Sequence, residues 1–372
     1  MKKIFLLFSL FLVFFLPLSI FAQEEVSQLP EEEILEGKIT QVLEEKETED
    51  MGGKQLYQKL EILITKGSLK DETIIVEVGK LPTIGVPKYQ KGNEIILSYS
   101  QDFEGNDVFY ITDFIRRKPL VWLFLIFALL VVVIGQWRGV SSLLGMGLSF
   151  LVIFKFILPS INAGHDPIFI AITGSLLIIP ITFYLSHGFN KKTTVAVIAT
   201  FISLVITGIL AQSFVGTAKL SGYASEEAGF LQAAKEGEMN IRGLLLAGII
   251  ISVLGVLDDI TVAQAAVVQQ LKKANPRISP GKLFLQAMNV GQDHIASMVN
   301  TLVLVYAGAS LPLLLLFIDS PRPFGEVVNY EIVAEEIIRI LVGSIGLILA
   351  VPITTFLASN ISFKTDERNE KR

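Results

Sequence analysis

The sequence contains no cysteine and only three histidines. The missing cysteine excludes disulfide bonds, thiolate metal ligands and a cysteine nucleophile. So few histidines argue against a dedicated zinc site, and we expect neither a metal nor another cofactor. The motifs of zinc metalloproteases, α/β-hydrolases and P-loop nucleotide-binding proteins are missing too. We therefore do not expect the chain to be an enzyme.

Charged residues are also scarce. They make up 18% of the 372 residues, whereas soluble domains average about 25%. Hydrophobic residues make up 51% of the chain, and the mean hydropathy is +0.58. This composition predicts an integral membrane protein, whose main partner is the lipid bilayer. The net charge of −5 gives no indication of a nucleic-acid-binding surface.

The first residues have the pattern of a secretory signal. Lys2 and Lys3 precede the apolar run 4–21, and polar residues follow Ala22. We predict a signal peptide at residues 1–22. The alternative is an uncleaved anchor helix, because the apolar run is long for a signal. In both cases the next segment lies outside the cytoplasm.

Residues 23–118 are polar and contain short runs of alternating apolar residues, separated by Gly, Pro and Asn. The predicted strands are 34–43, 56–65, 73–78, 94–99 and 108–114. So many short strands in one small segment predict an extracytoplasmic β-barrel-like domain, OB-like in type. This domain is either a spacer or the binding site of a protein partner.

From Pro119 onward, apolar segments recur with the length of about 20 residues that a helix needs to cross a bilayer. The predicted spans are 119–136, 140–159, 167–186, 194–213, 242–259, 295–317 and 337–357. The predicted fold is therefore a polytopic α-helical membrane protein of about seven transmembrane helices. Its helical domain covers residues 119–360, and residues 361–372 form a tail.

The charges of the connections predict the orientation. Bases predominate in alternate connections, which the positive-inside rule assigns to the cytoplasm. These bases include Arg138, Lys191, Lys192, Lys272, Lys273, Arg277, Lys282, Lys364 and Arg368. The orientation places the β-domain outside the plasma membrane and the C-terminus in the cytoplasm. The cluster Arg116, Arg117 and Lys118 is an exception, because it lies just outside the first span.

Residues 255–300, between the fifth and sixth spans, concentrate polar and ionisable side chains. Asp258 and Asp259 end the fifth span. One helical face then enters the sixth span from the cytoplasm, with Asn289, Asp293, Ser297 and Asn300; His294, Ser297 and Thr301 form a neighbouring line. In hydrocarbon each unpartnered polar group costs on the order of 2–7 kcal/mol. These groups must therefore pair with one another, with span five or with water.

This stretch has two interpretations. In the first it forms a cytoplasm-facing half-channel that binds a proton or an ion. The candidate coupling residues are Asp258, Asp293, His294 and Asn300, and the candidate supporting polar residues are Asp259, Asn289, Ser297 and Thr301. In the second the aspartates cap or flank helices at the interface, a role for which Asp259 is well placed.

Two further patterns give structural predictions. Thr200, Ser203 and Thr207 lie on one helical face of the fourth span. They are expected to hydrogen-bond across a helix interface, or alternatively to line a wet path. Residues 224–236, between Gly222 and Gly237, are expected to form a short amphipathic helix.

The sequence of the polar stretch resembles the YibE/F-like family of bacterial multi-pass membrane proteins. The resemblance is carried by GVLDDITV at 255–262 and MNVGQDHIASMVNTL at 288–302, and YAGASLP at 306–312 also fits. It extends from the first predicted span to the last. It implies a polytopic protein of the bacterial plasma membrane, and it assigns no catalytic or binding residues.

Two functional hypotheses follow from these patterns. The first is a transporter, or a proton- or ion-coupled membrane protein, that acts on a small solute or ion through the cytoplasm-facing polar site. The second is a non-transporting envelope scaffold or accessory protein that binds a partner through its outer β-domain.

Overall fold

A computed structural model describes residues 32–50, 53–80, 87–102, 104–318 and 322–361. The predicted signal peptide at 1–22 lies outside the described residues, as does the predicted tail beyond residue 361. The described chain divides into two compact units, the first ending at Leu129 and the second beginning at Leu130.

The first unit contains a five-stranded antiparallel sheet in the order β3-β2-β1-β4-β5. Its strands are β1 (Glu33–Asp50), β2 (Gly53–Lys66), β3 (Thr73–Val78), β4 (Glu94–Gln101) and β5 (Asp107–Phe114). Each predicted strand is present, and the predicted limits of the third agree with those of β3. The prediction succeeds because the alternation of apolar and polar residues directly specifies which face of each strand is buried.

One face of the sheet forms a core of its own. Leu60, Ile62 and Ile64 alternate along β2 and are fully buried. β1 pairs with β2 through register shifts, one of them at Glu36/Gly37, which bend the sheet. A Cβ atom on Gly37 would lie 2.6 Å from Ile62 Cγ2, so only glycine fits there. The edge strands β3 and β5 approach each other, and the sheet is a half-barrel.

The basic cluster after β5 is paired with carboxylates of the sheet. Arg116 and Asp113 form an ion pair of 2.6 Å, and so do Lys118 and Glu94. Arg117 pairs with Glu36. The bases that depart from the positive-inside pattern are therefore neutralised within their own unit.

The remaining described chain is helical. Its helices are α1 (Arg117–Val152), α2 (Leu158–Asn162), α3 (Pro167–His187), α4 (Lys191–Thr217), α5 (Glu226–Ala234), α6 (Ile241–Ala274), α7 (Pro280–Ala309), α8 (Leu311–Ile318), α9 (Phe324–Val327) and α10 (Glu331–Asn360). A π-helical turn, Ile153–Ile157, joins α1 to α2. Within α1, Gln136 has non-helical angles of φ 50° and ψ −132°, which mark a break.

In the described residues, five helices are long and apolar enough to cross a membrane: Arg117–Asn162, Pro167–His187, Lys191–Thr217, Ile241–Ala274 and Glu331–Asn360. The pair α7 and α8, bent by 71°, makes a sixth if it is counted as one broken span. The helical part is thus compatible with a membrane-embedded protein of about five to six spans.

The core of the second unit lies where α4, α6 and α10 pack together. Thr200, Ser203 and Thr207 of α4 are buried there. The hydroxyls of Thr200 and Thr261 are 2.8 Å apart, and each is bonded to a carbonyl of its own helix. Thr207 fits against Gly346, where a Cβ atom would overlap it. The prediction that this face packs against other helices is confirmed, but of the three residues only Thr200 hydrogen-bonds across the interface, and the buried Ser203 Oγ has no partner among the described residues.

The short helix predicted between Gly222 and Gly237 is present and corresponds to α5, although its apolar residues Phe230 and Leu231 are exposed. Ser225 caps it by accepting a hydrogen bond of 3.2 Å from the Ala228 backbone N–H. Gly222 and Gly237, on either side, have φ values of 87° and 89°. Such positive φ values favour glycine and end the helical conformation at both sides.

Candidate functional site

Asp258 and Asp259 lie in the interior of α6. This helix is continuous over Ile241–Ala274, and its N-cap is Asn240, which accepts a hydrogen bond of 2.8 Å from the Gly243 N–H. The part of the alternative interpretation that makes Asp258 or Asp259 a helix cap is therefore wrong, and the part that places them beside helices at the membrane interface stays a prediction. The buried face of α6 continues past them through Thr261, Gln264 and Val268, so no break occurs at residue 259.

Asp293 cannot be a cap either, because it lies in the interior of α7, Pro280–Ala309. The helix interior provides backbone groups that are already bonded within the helix, so a side chain there has no capping role. None of the three aspartates Asp258, Asp259 and Asp293 therefore caps a helix.

One side of α6 forms a wall of a cleft of about 950 Å³. The other walls are α3 and the part of α1 that begins at Leu130. The polar and charged residues lining it are Arg138, Ser142, Ser149, Thr182, Ser186, His187, Asp258 and Asp259. The remaining lining consists of apolar residues and glycines, so these polar groups are concentrated within an otherwise apolar surface.

Asp258 is the least satisfied group in this cleft. Its residue is half-buried, and its Oδ1 atom is buried without a hydrogen-bond partner among the described residues. Burying a polar atom without compensation is unfavourable, and more so for a carboxylate. This geometry leaves one carboxylate oxygen that can be protonated, bind a cation or accept a hydrogen bond from a bound molecule.

Charges of both signs surround this carboxylate. Asp259 is exposed. The His187 ring lies within electrostatic range of Asp259 and also of Arg138 and Lys192. The cleft therefore combines two carboxylates with a titratable imidazole and a permanent cation. Such a set can bind an ion and can exchange protons.

The second predicted group lies on α7 and does not line the cleft. Asn289, Asp293, Ser297, Asn300 and Thr301 are all exposed. Within the described part of the chain, the side chains of Asn289, Asp293 and Asn300 form no hydrogen bond or ion pair. The Thr301 hydroxyl donates to the Ser297 backbone carbonyl at 3.0 Å. This face of α7 thus presents polar groups without partners.

His294 follows Asp293 on α7 and does not line the cleft. Its residue is half-buried, and its Nδ1 atom is buried without a partner among the described residues. The face of α7 that contains Leu283, Ala287 and Gly291 packs into the bundle. The structure therefore brings Asp258 together with Asp259, His187 and Arg138, and it places Asp293 and Asn300 on a separate surface.

The model of the YibE/F-like protein family matches residues 123–364. The chain belongs to the YibE/F-like family. The match covers the cleft and the polar face of α7, and it begins after the sheet. It confirms the resemblance found at residues 255–302. Comparison with curated proteins and with solved structures gave no match.

In this YibE/F-like chain, a buried glutamine joins three helices next to the site. Gln264 is fully buried. Its Nε2 atom donates to the Ala287 carbonyl of α7 at 3.0 Å and to the Thr355 hydroxyl of α10 at 2.7 Å. A Cβ atom on Gly291 would lie 3.0 Å from this Nε2 atom, so the glycine makes room for the amide. Gln264 thus fixes α7, which bears the second polar group, against α6 and α10.

The sequence interpretation did not assign functional roles to His187, Arg138 and Gln264. One local signal exists for the cleft: Ser142 and Ser149 are seven residues apart and lie on one face of the YibE/F-like chain's α1. The proximity of Arg138, His187 and Asp259 arises only from the packing of distant helices.

Proposed function

We propose that this YibE/F-like protein transports a small solute or ion across the bacterial plasma membrane, and that a proton or a cation bound at Asp258 drives this transport. One observation carries the proposal: a buried carboxylate oxygen without a partner lies on the wall of a cleft between membrane-spanning helices. Ionisable residues inside membrane helices are unfavourable, so they typically mark ion or proton pathways.

The neighbouring charges have roles in this proposal. Arg138 offsets one of the two negative charges when Asp258 and Asp259 are both ionised, and His187 exchanges protons near the opening. When Asp258 takes up a proton or a cation, the charge balance around Arg138 and His187 changes. This change provides a physical link between ion binding and movement of α1 or α3 against α6.

The topology supports a cleft that opens to the cytoplasm. The break at Gln136 divides the 46 residues of Arg117–Asn162 into two segments, each long enough to span. Together with the bent pair α7 and α8, this supports seven spans. Arg138, His187 and Lys192 then lie at the cytoplasmic ends of their helices, in agreement with the positive-inside rule.

A second observation favours the scaffold hypothesis for the β-domain. Ile34 and Tyr110 are both paired with Ser98, so they lie on the same face of the sheet. They are 72% and 62% exposed. The approach of the two edge strands β3 and β5 supports an OB-like barrel, and barrels of this type are often binding modules. A protein partner at this face would be compatible with transport by the helices.

The test is a flux assay in proteoliposomes with an imposed pH gradient, followed by a pH-sensitive dye inside the vesicles. Asp258→Asn should abolish gradient-driven flux, because an amide neither ionises nor takes up a proton. Glu226→Gln removes an exposed carboxylate of α5 that does not line the cleft, so it is the control and should retain the flux. The proposal fails if Asp258→Asn, purified as a folded protein, transports like the unmodified chain.

The scaffold hypothesis predicts the opposite pattern in cells that lack the protein and receive a variant. Ile34→Asp with Tyr110→Asp should abolish the rescue of any deletion phenotype, whereas Asp258→Asn should rescue fully. Rescue by the β-domain variant together with failure of Asp258→Asn would favour transport.

A further inference from the structure

The cleft beside Asp258 is much larger than an inorganic ion needs. Its volume is about 950 Å³, within the range of about 300–1,000 Å³ that is typical of sites for organic molecules. In the part of the chain that the structure describes, no three His, Asp or Glu side chains are placed so that they could hold one metal ion. The cleft therefore fits an organic molecule better than a bare ion.

The walls of this cleft are apolar along much of α1. Leu130 and Ile134 line it before the break at Gln136, and Phe150 lines it beyond the break. These three side chains are 53%, 79% and 51% exposed, so the described protein leaves much of their surface uncovered. In a membrane such surface is covered by lipid tails or by the apolar part of a bound molecule. A molecule held between these walls therefore has an apolar body.

The charged residues that line the cleft leave one net negative charge. Asp258 and Asp259 contribute two negative charges when ionised, and Arg138 contributes one positive charge. His187 also lines the cleft but adds no charge in its neutral form. Lys192 of α4 lies within electrostatic range of His187 and does not line the cleft. A monovalent cation balances the charges of the lining, whereas an anion increases the imbalance.

The Asp258 carboxylate also determines which kind of cation fits. Its buried Oδ1 atom has no hydrogen-bond partner among the described residues. An ionised carboxylate only accepts hydrogen bonds, so the missing partner is a donor. A protonated amine supplies N–H donors together with the positive charge, and such charge-assisted hydrogen bonds are about twice as strong as neutral ones. A quaternary ammonium group supplies the charge without the donor.

We infer that the cleft binds a monovalent amphiphilic amine, whose ammonium group donates to the Asp258 carboxylate and whose apolar body contacts α1. This rests on the proposed transport function: the amine is the transported solute, and the driving proton takes its place at Asp258. Amphiphilic cations accumulate at the negatively charged cytoplasmic leaflet, which is the side on which the proposed cleft opens.

A phospholipid with an amine headgroup does not meet the same requirements. Its phosphate cancels the charge of its ammonium group, so the net negative charge of the cleft remains. The phosphate would also lie beside the two carboxylates of Asp258 and Asp259, and like charges at short distance repel each other. The occupant is therefore a free amine and not a lipid headgroup.

Binding of dansylcadaverine, a fluorescent primary alkylamine, tests the inference. The full chain is placed in phosphatidylcholine nanodiscs, and the dansyl fluorescence is measured after subtraction of empty nanodiscs. Asp258→Asn should raise the Kd about tenfold, because the hydrogen bond loses its charge. Glu226→Gln removes an exposed carboxylate of α5 outside the cleft, so it is the control and should leave the Kd unchanged.

Competition by molecules with similar alkyl chains defines the chemical class. Dodecylamine should displace dansylcadaverine. Dodecyltrimethylammonium, which lacks an N–H donor, should do so about tenfold less well. Dodecanol and dodecanoate should not displace the probe at the same concentration, because the first has no charge and the second has the wrong sign.

A second pair of variants tests the apolar wall. Phe150→Ala should raise the Kd of dodecylamine about fivefold, equivalent to about 1 kcal/mol of lost apolar contact. Phe169 is 66% exposed on α3 but does not line the cleft. Phe169→Ala is therefore the matched control, and its Kd should equal that of the unmodified protein.

Three results would overturn the inference. The first is an Asp258→Asn protein, folded by its thermal unfolding midpoint, that binds dansylcadaverine as tightly as the unmodified chain. The second is equal displacement by dodecanoate. The third is loss of binding when phosphatidylethanolamine replaces phosphatidylcholine, which would identify a lipid headgroup as the occupant.

The binding measurements use no gradient, so they are independent of the flux assay. Loss of flux in Asp258→Asn with unchanged amine binding would contradict this inference and leave the transport proposal standing. Amine binding that depends on Asp258, in a protein that supports no gradient-driven flux, would contradict the transport proposal alone.

Discussion

At the scale of single residues, Glu33 makes the β-domain sensitive to acid. Its carboxylate accepts hydrogen bonds from the Ser68 backbone N–H at 2.8 Å and the Ser68 hydroxyl at 2.5 Å. These hydrogen bonds lower the pKa of Glu33 below its ordinary value of 4.5. A lowered folded-state pKa stabilises the fold above pH 4.5, and this contribution is lost as the pH falls through the lower value.

We therefore expect the free energy of unfolding of a fragment covering residues 23–118 to decrease between neutral pH and about pH 3. Glu33→Gln should reduce this decrease, because the amide does not titrate. Denaturant unfolding at a series of pH values measures both. Glu104→Gln, at an exposed turn position, is the control and should follow the unmodified fragment. Identical pH dependence in Glu33→Gln and the unmodified fragment would contradict the role of Ser68.

At the scale of elements, the position of α7 depends on a single glycine. A Cβ atom on Gly291 would lie 2.5 Å from Val351 Cγ1 of α10. The valine side chain is branched at Cβ and cannot turn away freely. Gly291→Ala should therefore lower the stability of the helical unit by about 1–3 kcal/mol, the usual penalty of overpacking.

Gly281→Ala is a matched control on the same helix, because an added Cβ atom there has no described atom within 4 Å. Thermal unfolding in detergent compares the two variants with the unmodified protein. Only Gly291→Ala should show a clearly lower midpoint. An unchanged midpoint in Gly291→Ala would mean that α7 and α10 are not packed against each other as closely as the structure shows.

At the scale of elements, the features that could be predicted from sequence are those set by the residue pattern within one strand or helix. The strands were predictable because apolar and polar residues alternate around Leu60 and Ile62. In a strand this alternation directly separates the buried face from the other face. The hydroxyl stripe around Thr200 was predictable for a similar reason, since its spacing places it on one helical face. The helix-cap interpretation of Asp259 was wrong, because two charged residues at the end of an apolar run resemble a helix boundary while the buried face of α6 continues beyond them.

The cleft was only half predictable. Asp258 could be predicted as a candidate because it is a carboxylate in an apolar segment. The residues around it could not, because they depend on how distant helices pack. Arg138 and His187 are typical residues of membrane-proximal connections when read locally. Nothing in their own sequence context indicates that they line a common cleft with Asp258.

At the scale of the whole molecule, the number of spans decides on which side of the membrane the C-terminus lies. With the β-domain outside, seven spans place the C-terminus in the cytoplasm, whereas six place it outside. The break at Gln136 within Arg117–Asn162 is the feature that distinguishes these counts. The ion pairs of Arg116, Arg117 and Lys118 with the sheet leave no free positive charge at that point to oppose an outer location.

We expect seven spans, and two reporter fusions to the full chain test this expectation in bacterial cells. A green fluorescent protein fused after Arg372 should fluoresce, because it folds in the cytoplasm, and alkaline phosphatase at the same position should be inactive. Phosphatase inserted after Tyr223, in the connection between α4 and α6, is the control and should be active on the outer side. Active phosphatase after Arg372 together with inactive phosphatase after Tyr223 would mean that α1 crosses the membrane only once. The cleft of Asp258 would then open on the outer side, because every connection after α1 would change sides.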